Sequence, residues 1–238
     1  MPRWIDAKLI KTAERSETTR SFFLQLQGIE SFDFKAGQFI TLDLPIGEKR
    51  LDRWRSYSIA NEPNGTNLIE LVIVRVPFGK ATGFLWEKTQ IGDVLKLKGP
   101  GGVFCLPEKI EKDLIFICTG TGVAPFRSMI KDIHQHSIKT ARVDLIFGTR
   151  NKSGILYSEE FNQLQTEMEN FEFSVALSRE EYQDYQGYVH NLYLEKYKNV
   201  SENRTFYLCG WQNMVDEAKE NLLKLGYKKE QIIEELYG

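Results

Sequence analysis

The pattern of apolar residues changes near the middle of the chain, and this change restricts the possible folds more than any other feature. Up to residue 106, short apolar runs such as Ser21–Gln27 and Ile69–Val76 are separated by turns, which is typical of β-strands. After the polar segment Leu106–Lys109, apolar strands alternate with helical segments, and this rhythm predicts a parallel sheet with helices on both faces. We therefore expect an N-terminal antiparallel β-barrel over residues 1–107, followed by an α/β domain with a parallel sheet over residues 108–238.

The second half of the chain predicts five strands and four helices in alternation. The predicted strands are Leu114–Cys118, Val143–Phe147, Phe171–Ala176, Thr205–Cys209 and Ile232–Leu236. The predicted helices are Pro125–His134, Ser158–Glu167, Tyr188–Tyr197 and Met214–Leu225. In the first half, Gln38–Leu44 and Val94–Lys98 predict further strands, and only Thr82–Lys88 has a helical pattern. Parallel sheets bind ligands at the carboxyl ends of their strands, so we expect functional residues at that edge.

Composition excludes several classes of protein. The 31 basic and 33 acidic residues give a net charge of -2, which is not the charge of a nucleic-acid-binding protein. The N-terminal residues lack the apolar run of a signal peptide, and no stretch is apolar enough to span a membrane, so we expect a cytoplasmic protein. The three cysteines lie far apart without a CxxC motif, and the three histidines form no cluster, so we expect no metal site and no iron–sulfur cluster.

The first motif that carries chemistry is a glycine-rich turn between a predicted strand and a predicted helix. Thr119-Gly120-Thr121-Gly122 follows the strand directly, and Pro125 suits the first turn of the helix. Glycines allow the backbone to approach a pyrophosphate, while the helix N-terminus supplies free N–H groups and a positive dipole end. The turn is not the complete GxGxxG fingerprint, because Pro125 occupies the last position, and a tight turn without a ligand has the same pattern.

The second motif is Arg55-Ser56-Tyr57-Ser58, on a short extended segment of the first half. It combines a guanidinium, an aromatic ring and two hydroxyls. This combination suits a flat cofactor that carries phosphate groups, because arginine is a planar donor of several hydrogen bonds. Two nucleotide sites in one chain of this size indicate that electrons pass between two cofactors.

These motifs together resemble the ferredoxin–NADP reductase superfamily, and the resemblance covers nearly the whole chain. The matching segments are Arg55-Ser56-Tyr57-Ser58, Gly79–Leu85, Gly99–Phe104, Thr119–Pro125, Leu156–Phe161 and Cys209-Gly210 followed by Met214. The resemblance implies a bound FAD. Tyr57 would stack on the isoalloxazine, Ser58 would bond to the flavin N5, and Arg55 would hold the pyrophosphate. The FAD-binding residues that it implies are Arg55, Ser56, Tyr57, Ser58, Lys80, Ala81 and Thr82.

The resemblance also implies a nicotinamide nucleotide as the second cofactor. In the NADP-dependent branch, Ser178-Arg179 would contact the 2′-phosphate and Tyr188 would stack on the adenine. That branch usually has a basic residue just before the tyrosine, where Gln186-Gly187 stands here, and a solvated loop cation is the alternative for Arg179. The nucleotide-binding residues that the resemblance implies are Thr119, Gly120, Thr121, Gly122, Ser178, Arg179, Tyr188 and Tyr237.

The last residues of the sequence resemble the region of the family where the nicotinamide meets the flavin. Tyr237 would cover the flavin face that the nicotinamide must occupy, and a frayed terminal aromatic residue is the alternative. Glu235 and Cys209 would lie beside the nicotinamide, where Cys209 would position the ring rather than attack it, because no base is evident beside the thiol. Ser58, Cys209, Glu235 and Tyr237 are therefore the expected catalytic residues.

The function that the resemblance implies is an FAD-dependent reductase that takes hydride from NADPH and passes electrons to a soluble acceptor protein, such as ferredoxin or flavodoxin. Lys49, Arg50, Arg53 and Arg55 would guide an acidic acceptor, unless they form ordinary solvated surface. One alternative is an NADH-linked reductase, such as a cytochrome b5 reductase-like protein or the reductase component of an oxygenase. Another is an FAD-containing electron-transfer subunit that has no catalytic activity of its own.

Overall fold

The computed structural model describes residues 3–182 and 185–237, and its first half is a six-stranded antiparallel sheet. The strands are β1 (Ile5–Ser16), β2 (Thr19–Leu26), β3 (Phe39–Asp43), β4 (Trp54–Ser58), β5 (Leu68–Val74) and β6 (Val94–Gly101). Their order in the sheet is β4-β3-β6-β1-β2-β5. The backbone N–H of Ala60, just beyond β4, donates to the carbonyl oxygen of Glu70 in β5 at 2.8 Å. Because this bond joins the two edge strands, the sheet bends into the expected barrel.

The barrel forms because alternate side chains of its strands point into one apolar interior. Ala7 and Leu9 of β1 and Leu24 and Leu26 of β2 are buried, while their neighbours along each strand are more exposed. Two short helices connect the strands: α1 (Arg50–Arg53) precedes β4, and α2 (Lys80–Glu87) follows β5. The sequence predicted the second of these helices, which begins at Lys80 rather than at Thr82.

The second half is a six-stranded parallel sheet covered by helices on both faces, as the sequence predicts. The strands are β7 (Asp113–Thr119), β8 (Val143–Thr149), β9 (Phe171–Leu177), β10 (Tyr185–Gln186), β11 (Arg204–Trp211) and β12 (Ile232–Tyr237), in the order β10-β9-β8-β7-β11-β12. The helices are α3 (Val123–Gln135), α4 (Ser158–Glu167), α5 (Val189–Lys196) and α6 (Gln212–Leu225). Phe116 of β7 packs on the side of α3 and α4, whereas Ile115 and Ile117 pack on the side of α5 and α6.

The two sheets share an apolar interface, which fixes how the functional segments meet. Val72 of the barrel and Phe104 beyond it pack in the same buried cluster as Phe126 and Met129 of α3. Ala60, just beyond β4, belongs to the same cluster, so α3 is held close to the end of β4. In the described part of the chain, no helix has the length and apolar composition needed to cross a membrane.

Candidate functional site

The turn between β7 and α3 is shaped by two glycines with different tasks. A Cβ atom at Gly122 would lie 2.4 Å from the carbonyl oxygen of Cys209, so glycine is needed for the turn to pack against β11. Gly120 has a φ of +54°, in the left-handed region that favours glycine, and a Cβ atom there would have no heavy atom within 4 Å. The turn therefore presents an open backbone at the N-terminus of α3, which is suitable for a pyrophosphate.

A cleft of about 840 Å³ opens at the carboxyl ends of β7, β8, β9 and β11. Of the residues that the sequence predicted, Thr119, Gly120, Ser178 and Tyr188 line this cleft. Tyr188 is 70% exposed, so its ring is free to stack on a bound base. The position of the cleft agrees with the rule that parallel sheets bind ligands at the carboxyl ends of their strands.

Arg179 lies outside the lining of the cleft, but a second arginine connects it to the rim. Its backbone N–H donates to the carbonyl oxygen of Arg150 at 2.9 Å, and Arg150 lines the cleft directly. The sequence analysis did not identify Arg150, although a cation just beyond the carboxyl end of a predicted strand was a usable signal. The residue after Arg179, Glu180, accepts a hydrogen bond from the backbone N–H of Lys152 at 2.6 Å. Cations and a carboxylate therefore occur together on the segments next to the cleft.

In the barrel, the second motif lies on β4, so Arg55 and Tyr57 point to one face of the sheet and Ser56 and Ser58 to the other. Tyr57 is half-buried against the barrel core, and burial raises the pKa of its hydroxyl to about 12, although the nearby Arg55 acts in the opposite direction. The guanidinium of Arg55 donates to the carbonyl oxygens of Leu51 at 3.0 Å and Trp54 at 2.8 Å. Ser56, which lies between Arg55 and Tyr57 in the sequence, is exposed, and its hydroxyl is hydrogen-bonded to the hydroxyl of Thr41.

The N-terminus of α2 is a second place for an anion. Lys80 is the first residue of the helix, Ala81 is buried, and the first turn contains no acidic residue, so the positive end of the helix dipole is not neutralised. The hydroxyl of Thr82 lies within hydrogen-bond distance of the backbone N–H of Val76 and the carbonyl oxygen of Gly79. Thr82 thus stabilises the loop that leads into the helix, and its hydroxyl is already engaged.

The two halves of the chain meet at the four residues that were expected to be catalytic. The hydroxyl of Ser58, at the end of β4, donates to Oε2 of Glu235 in β12 at 3.1 Å. In the parallel pairing of β11 with β12, Cys209 is opposite Glu235. The hydroxyl of Tyr237 is buried beside the hydroxyl of Ser58 and the thiol of Cys209. All four residues therefore lie together at the junction of the two halves.

Burial controls the protonation of this group of residues. It raises the pKa of Glu235 to about 7, against the opposing effect of the hydrogen bond from Ser58. Burial, together with the nearby Glu235 and Cys118, raises the pKa of the Cys209 thiol well above its usual range. Because only the thiolate is a strong nucleophile, Cys209 is suited to contact a ligand and not to attack it.

We expect the raised pKa of Glu235 to appear in the pH dependence of stability. The folded protein binds a proton on Glu235 more tightly than the unfolded chain does. Protonation of Glu235 therefore contributes to the free energy of unfolding, fully below pH 4.5, and this contribution is lost as the pH rises through about 7. The shift corresponds to about 3 kcal/mol. In urea denaturation from pH 4.5 to 8, Glu235→Gln should therefore lose stability less steeply with rising pH than wild type does. Parallel curves for the two proteins would show that Glu235 titrates normally.

Comparison with known protein families identifies both halves of the chain. The family model of the oxidoreductase FAD-binding domain matches residues 6–105, and that of the oxidoreductase NAD-binding domain matches residues 116–220. The Arg55-Ser56-Tyr57-Ser58 motif lies within the first match, and the turn at Gly120–Gly122 lies within the second.

Three relatives show the range of similar proteins. The chain is 33% identical over 195 residues to the reductase component of phenol 2-monooxygenase from Pseudomonas sp. (strain CF600), a match that covers 80% of this chain and 54% of the relative. It is 30% identical over 264 residues to one subunit of the Na(+)-translocating NADH-quinone reductase from Idiomarina loihiensis, covering 92% and 64%. The chain thus spans less than two thirds of these relatives. A solved ferredoxin NADP+ reductase from Neisseria gonorrhoeae, with bound FAD and NADP, has a TM-score of 0.83 at 25% identity and 98% coverage of both chains.

Proposed function

Because the chain belongs to the ferredoxin–NADP reductase superfamily, with its FAD-binding and NAD-binding domains, we propose that it is an NADH-linked, FAD-dependent reductase that delivers electrons to a separate protein. The observation that carries this proposal is the hydrogen bond between Ser58 and Glu235. It joins the end of the FAD motif to the carboxyl edge of the parallel sheet, next to Cys209. A flavin and a nicotinamide bound to these two segments would meet at this point.

The residues of the barrel fit an FAD molecule. The ring of Tyr57 offers a flat face, while Arg55 and the N-terminus of α2 at Lys80 offer positive charge for a pyrophosphate. When bound, FAD supplies the redox chemistry, because it accepts two electrons from a reduced nicotinamide and releases them singly or in pairs.

The side chains at the junction would orient the nicotinamide and control protons. The half-buried Tyr237 would hold the ring in place by contact, and the fully buried Cys209 beside Glu235 would keep water out. Glu235, with a pKa of about 7, can hold a proton at its carboxyl group near neutral pH. The hydroxyl of Ser58 would keep this carboxyl group in a fixed orientation. Alignment of two rings in a dry site is the main contribution of such a protein to the rate.

The relatives favour the reductase component of a multi-protein system over the ferredoxin or flavodoxin reductase that we expected first. The phenol 2-monooxygenase component is 33% identical to this chain, which supports an oxygenase-type acceptor. A basic surface lies close to the FAD motif: the guanidinium of Arg50 stacks on Trp54 at 4.7 Å, and Nζ of Lys98 lies 3.5 Å from the centre of the same ring. This surface would attract an acidic acceptor of either kind.

The first test of the proposal is retention of FAD. The purified protein should be yellow, and Tyr57→Ala should weaken FAD binding by on the order of 1 kcal/mol beyond the loss of buried area, because the stacking contact is removed. Tyr57→Phe is the matched control, since it keeps the ring, and it should bind FAD nearly as well as wild type. Wild-type protein that stays colourless after incubation with FAD would contradict the proposal. Oxidation of NADH with an artificial acceptor then separates a reductase from a non-catalytic subunit, which should not catalyse it alone.

NADPH as the electron donor is a second candidate, favoured by Arg150 at the rim of the cleft and by Arg179, whose backbone is bonded to it. The relative from Idiomarina loihiensis supports NADH, and we expect a higher kcat/KM with NADH. If these arginines do bind a 2′-phosphate, Arg179→Ala should lower kcat/KM with NADPH and leave kcat/KM with NADH unchanged. The loss of transition-state stabilisation with NADPH should be roughly 1.5–3 kcal/mol. Arg142→Ala is the control, because Arg142 precedes the amino end of β8 at the opposite edge of the sheet. A wild-type preference for NADPH that Arg179→Ala abolishes would replace NADH with NADPH in the proposal.

We also propose the cytoplasm as the location of the protein. The cysteines in the described part of the chain, Cys105, Cys118 and Cys209, are all unpaired. Free thiols are typical of a reducing compartment.

A further inference from the structure

The interface between the barrel and the α/β domain contains a buried ion pair that the sequence did not reveal. Nη1 of Arg127, in α3, donates to Oε2 of Glu70, in β5, at 2.9 Å. The two side chains are only 6% and 5% exposed. Charges are rarely buried to this extent unless they are paired and hydrogen-bonded, so the surrounding contacts must be specific.

Arg127 also binds the backbone segment that follows the FAD motif. Nη1 donates to the carbonyl oxygen of Ala60 at 2.8 Å, and the hydroxyl of the next residue, Ser128, donates to the carbonyl oxygen of Asn61 at 2.7 Å. Ala60 and Asn61 come directly after Ser58 and Ile59. Helix α3 is therefore hydrogen-bonded to the continuation of β4 at two adjacent carbonyl groups.

The remaining donors of Arg127 fix its orientation from the other side. Nε and Nη2 form a bidentate pair with the two carboxylate oxygens of Glu160 in α4, at 2.6 and 2.8 Å. The guanidinium lies over the ring of Tyr157, 4.3 Å from its centre. A planar guanidinium held by two carboxylates, a carbonyl group and an aromatic face has no freedom to rotate.

Tyr157 extends the same cluster from the α/β domain to the barrel. Its hydroxyl donates to Oε1 of Glu70 at 2.8 Å and is 3.2 Å from the hydroxyl of Ser21 in β2. Tyr157 has a φ of 57°, which is unfavourable for a residue with a side chain and persists only where the surroundings impose it. The contacts of its hydroxyl with the barrel are such a constraint.

We propose that Arg127 is a positioning residue, which with Glu70 and Tyr157 forms an interdomain clamp that sets the distance between the nicotinamide and the flavin. Helix α3 begins at the turn that would hold the nicotinamide nucleotide, and Arg127 lies little more than one helical turn from its start. The clamp bonds this rigid helix to the continuation of the strand that would hold the flavin. The inference rests on the proposed function, because only a reaction between two bound rings depends on this distance.

A mutation far from the reacting atoms that misplaces them by about 1 Å can slow a reaction roughly a hundredfold. Because the clamp touches neither proposed cofactor site directly, we expect each cofactor to bind as before. A clamp that only stabilises the fold would instead change the melting temperature and leave the reaction unaffected. Two variants distinguish these roles with little damage to the core. Arg127→Lys keeps the charge but loses the fork of donors, and Tyr157→Phe keeps the ring but loses the hydroxyl.

The control variants remove the same groups within a single domain. Tyr193→Phe removes a buried hydroxyl that is bonded to His190 and Asn221 within the α/β domain. Arg142→Lys weakens the ion pair between residue 142 and Asp144, which lies within the parallel sheet. Three quantities are measured for each protein: the dissociation constant of the oxidised nucleotide, the rate of flavin reduction in a single turnover, and the long-wavelength absorbance of the stacked nicotinamide–flavin complex.

Arg127→Lys and Tyr157→Phe should reduce flavin roughly ten- to a hundredfold more slowly than wild type and should lose the absorbance of the stacked complex, while the dissociation constant stays within about twofold. Tyr193→Phe and Arg142→Lys should behave as wild type. Wild-type rates and absorbance in both clamp variants would overturn the inference. If wild type itself is not reduced by NADH or NADPH, the proposed function fails. Amide hydrogen exchange then tests the link between the two segments by itself: faster exchange at both 60–61 and 120–122 in Arg127→Lys supports that link, and unchanged exchange overturns it.

Discussion

Replacing Arg127 by Met should lower the free energy of unfolding by about 3 kcal/mol, the largest loss that we expect from a single substitution outside the apolar core. Removing one partner of a buried ion pair leaves the other charge without compensation, which costs about 3–5 kcal/mol. The lower end of this range applies because Arg15 also pairs with Glu70, at 3.0 Å. Burial alone would raise the pKa of Glu70, but Arg127 and the other partners lower it, so the carboxylate is charged at neutral pH. Urea denaturation at pH 7 measures the loss.

A double-mutant cycle separates the ion pair from the packing of each side chain. Glu70→Leu and Arg127→Met should each destabilise the protein, and the double variant should be more stable than their sum predicts, by roughly 1–3 kcal/mol. The reason is that both buried charges are then absent, while Glu160 and Arg15, which lose a partner, are partly exposed to solvent. Additive effects in the cycle would show that Arg127 and Glu70 are not energetically coupled.

The second large effect is expected at Gly122. In Gly122→Ala, the new methyl group would lie 2.4 Å from the carbonyl oxygen of Cys209 and 2.9 Å from the Cα atom of Gly210. Because these are backbone atoms, they cannot rotate away, and the turn must move from β11 towards the cleft. Overpacking of this kind costs about 1–3 kcal/mol. Since the displaced turn is the proposed pyrophosphate site, kcat/KM should fall at least about tenfold with NADH and with NADPH, which steady-state kinetics will measure.

Two other glycines provide controls for Gly122→Ala. In Gly83→Ala, on α2, the methyl group would meet no heavy atom within 4 Å, so stability should be unchanged or slightly higher. In Gly120→Ala, the space is also open, but the positive φ of +54° makes alanine unfavourable by about 1 kcal/mol. Gly122→Ala should therefore be the most damaging of the three. A Gly122→Ala protein with the stability and kinetics of Gly83→Ala would contradict the packing of the turn against β11.

The alternation of strands and helices made the second half of the fold predictable. The helix predicted at Ser158–Glu167 has the same bounds in the structure, and the other predicted helices and strands differ by a few residues at their ends. Fully buried strands of a parallel sheet are continuous apolar runs, which the sequence shows clearly. The glycine turn was predictable for the same reason, since it directly follows such a run.

The barrel strands were harder to predict because their patterns are interrupted. The sequence did not predict β1 (Ile5–Ser16), the longest strand, whose pairing with β2 is irregular at Leu9/Lys11 and at Glu14/Ser16. Each irregularity shifts the alternation of buried and exposed residues, so β1 as a whole does not show a period of two. The strand β10 (Tyr185–Gln186) is too short for any periodicity.

The residues that connect the two halves could not be predicted from local patterns. Arg127 and Glu70 are 57 positions apart, and Tyr157 and Ser21 are 136 positions apart. The local sequence around each of these residues gives no sign of its contact with the other half of the chain. By contrast, Ser58 and Glu235, which are 177 positions apart, were expected to approach each other only because both match segments of a known family.

The most direct test of the central claim is an anaerobic titration of the FAD-loaded protein with NADH, followed by visible absorbance. We expect about one equivalent of NADH to bleach the flavin, because hydride transfer delivers two electrons, and an oxidised acceptor protein then to restore the absorbance. NADPH titrated in parallel shows which nucleotide the cleft prefers. A flavin that stays oxidised with both nucleotides would contradict the claim that the two halves of this chain bring a nicotinamide and a flavin together.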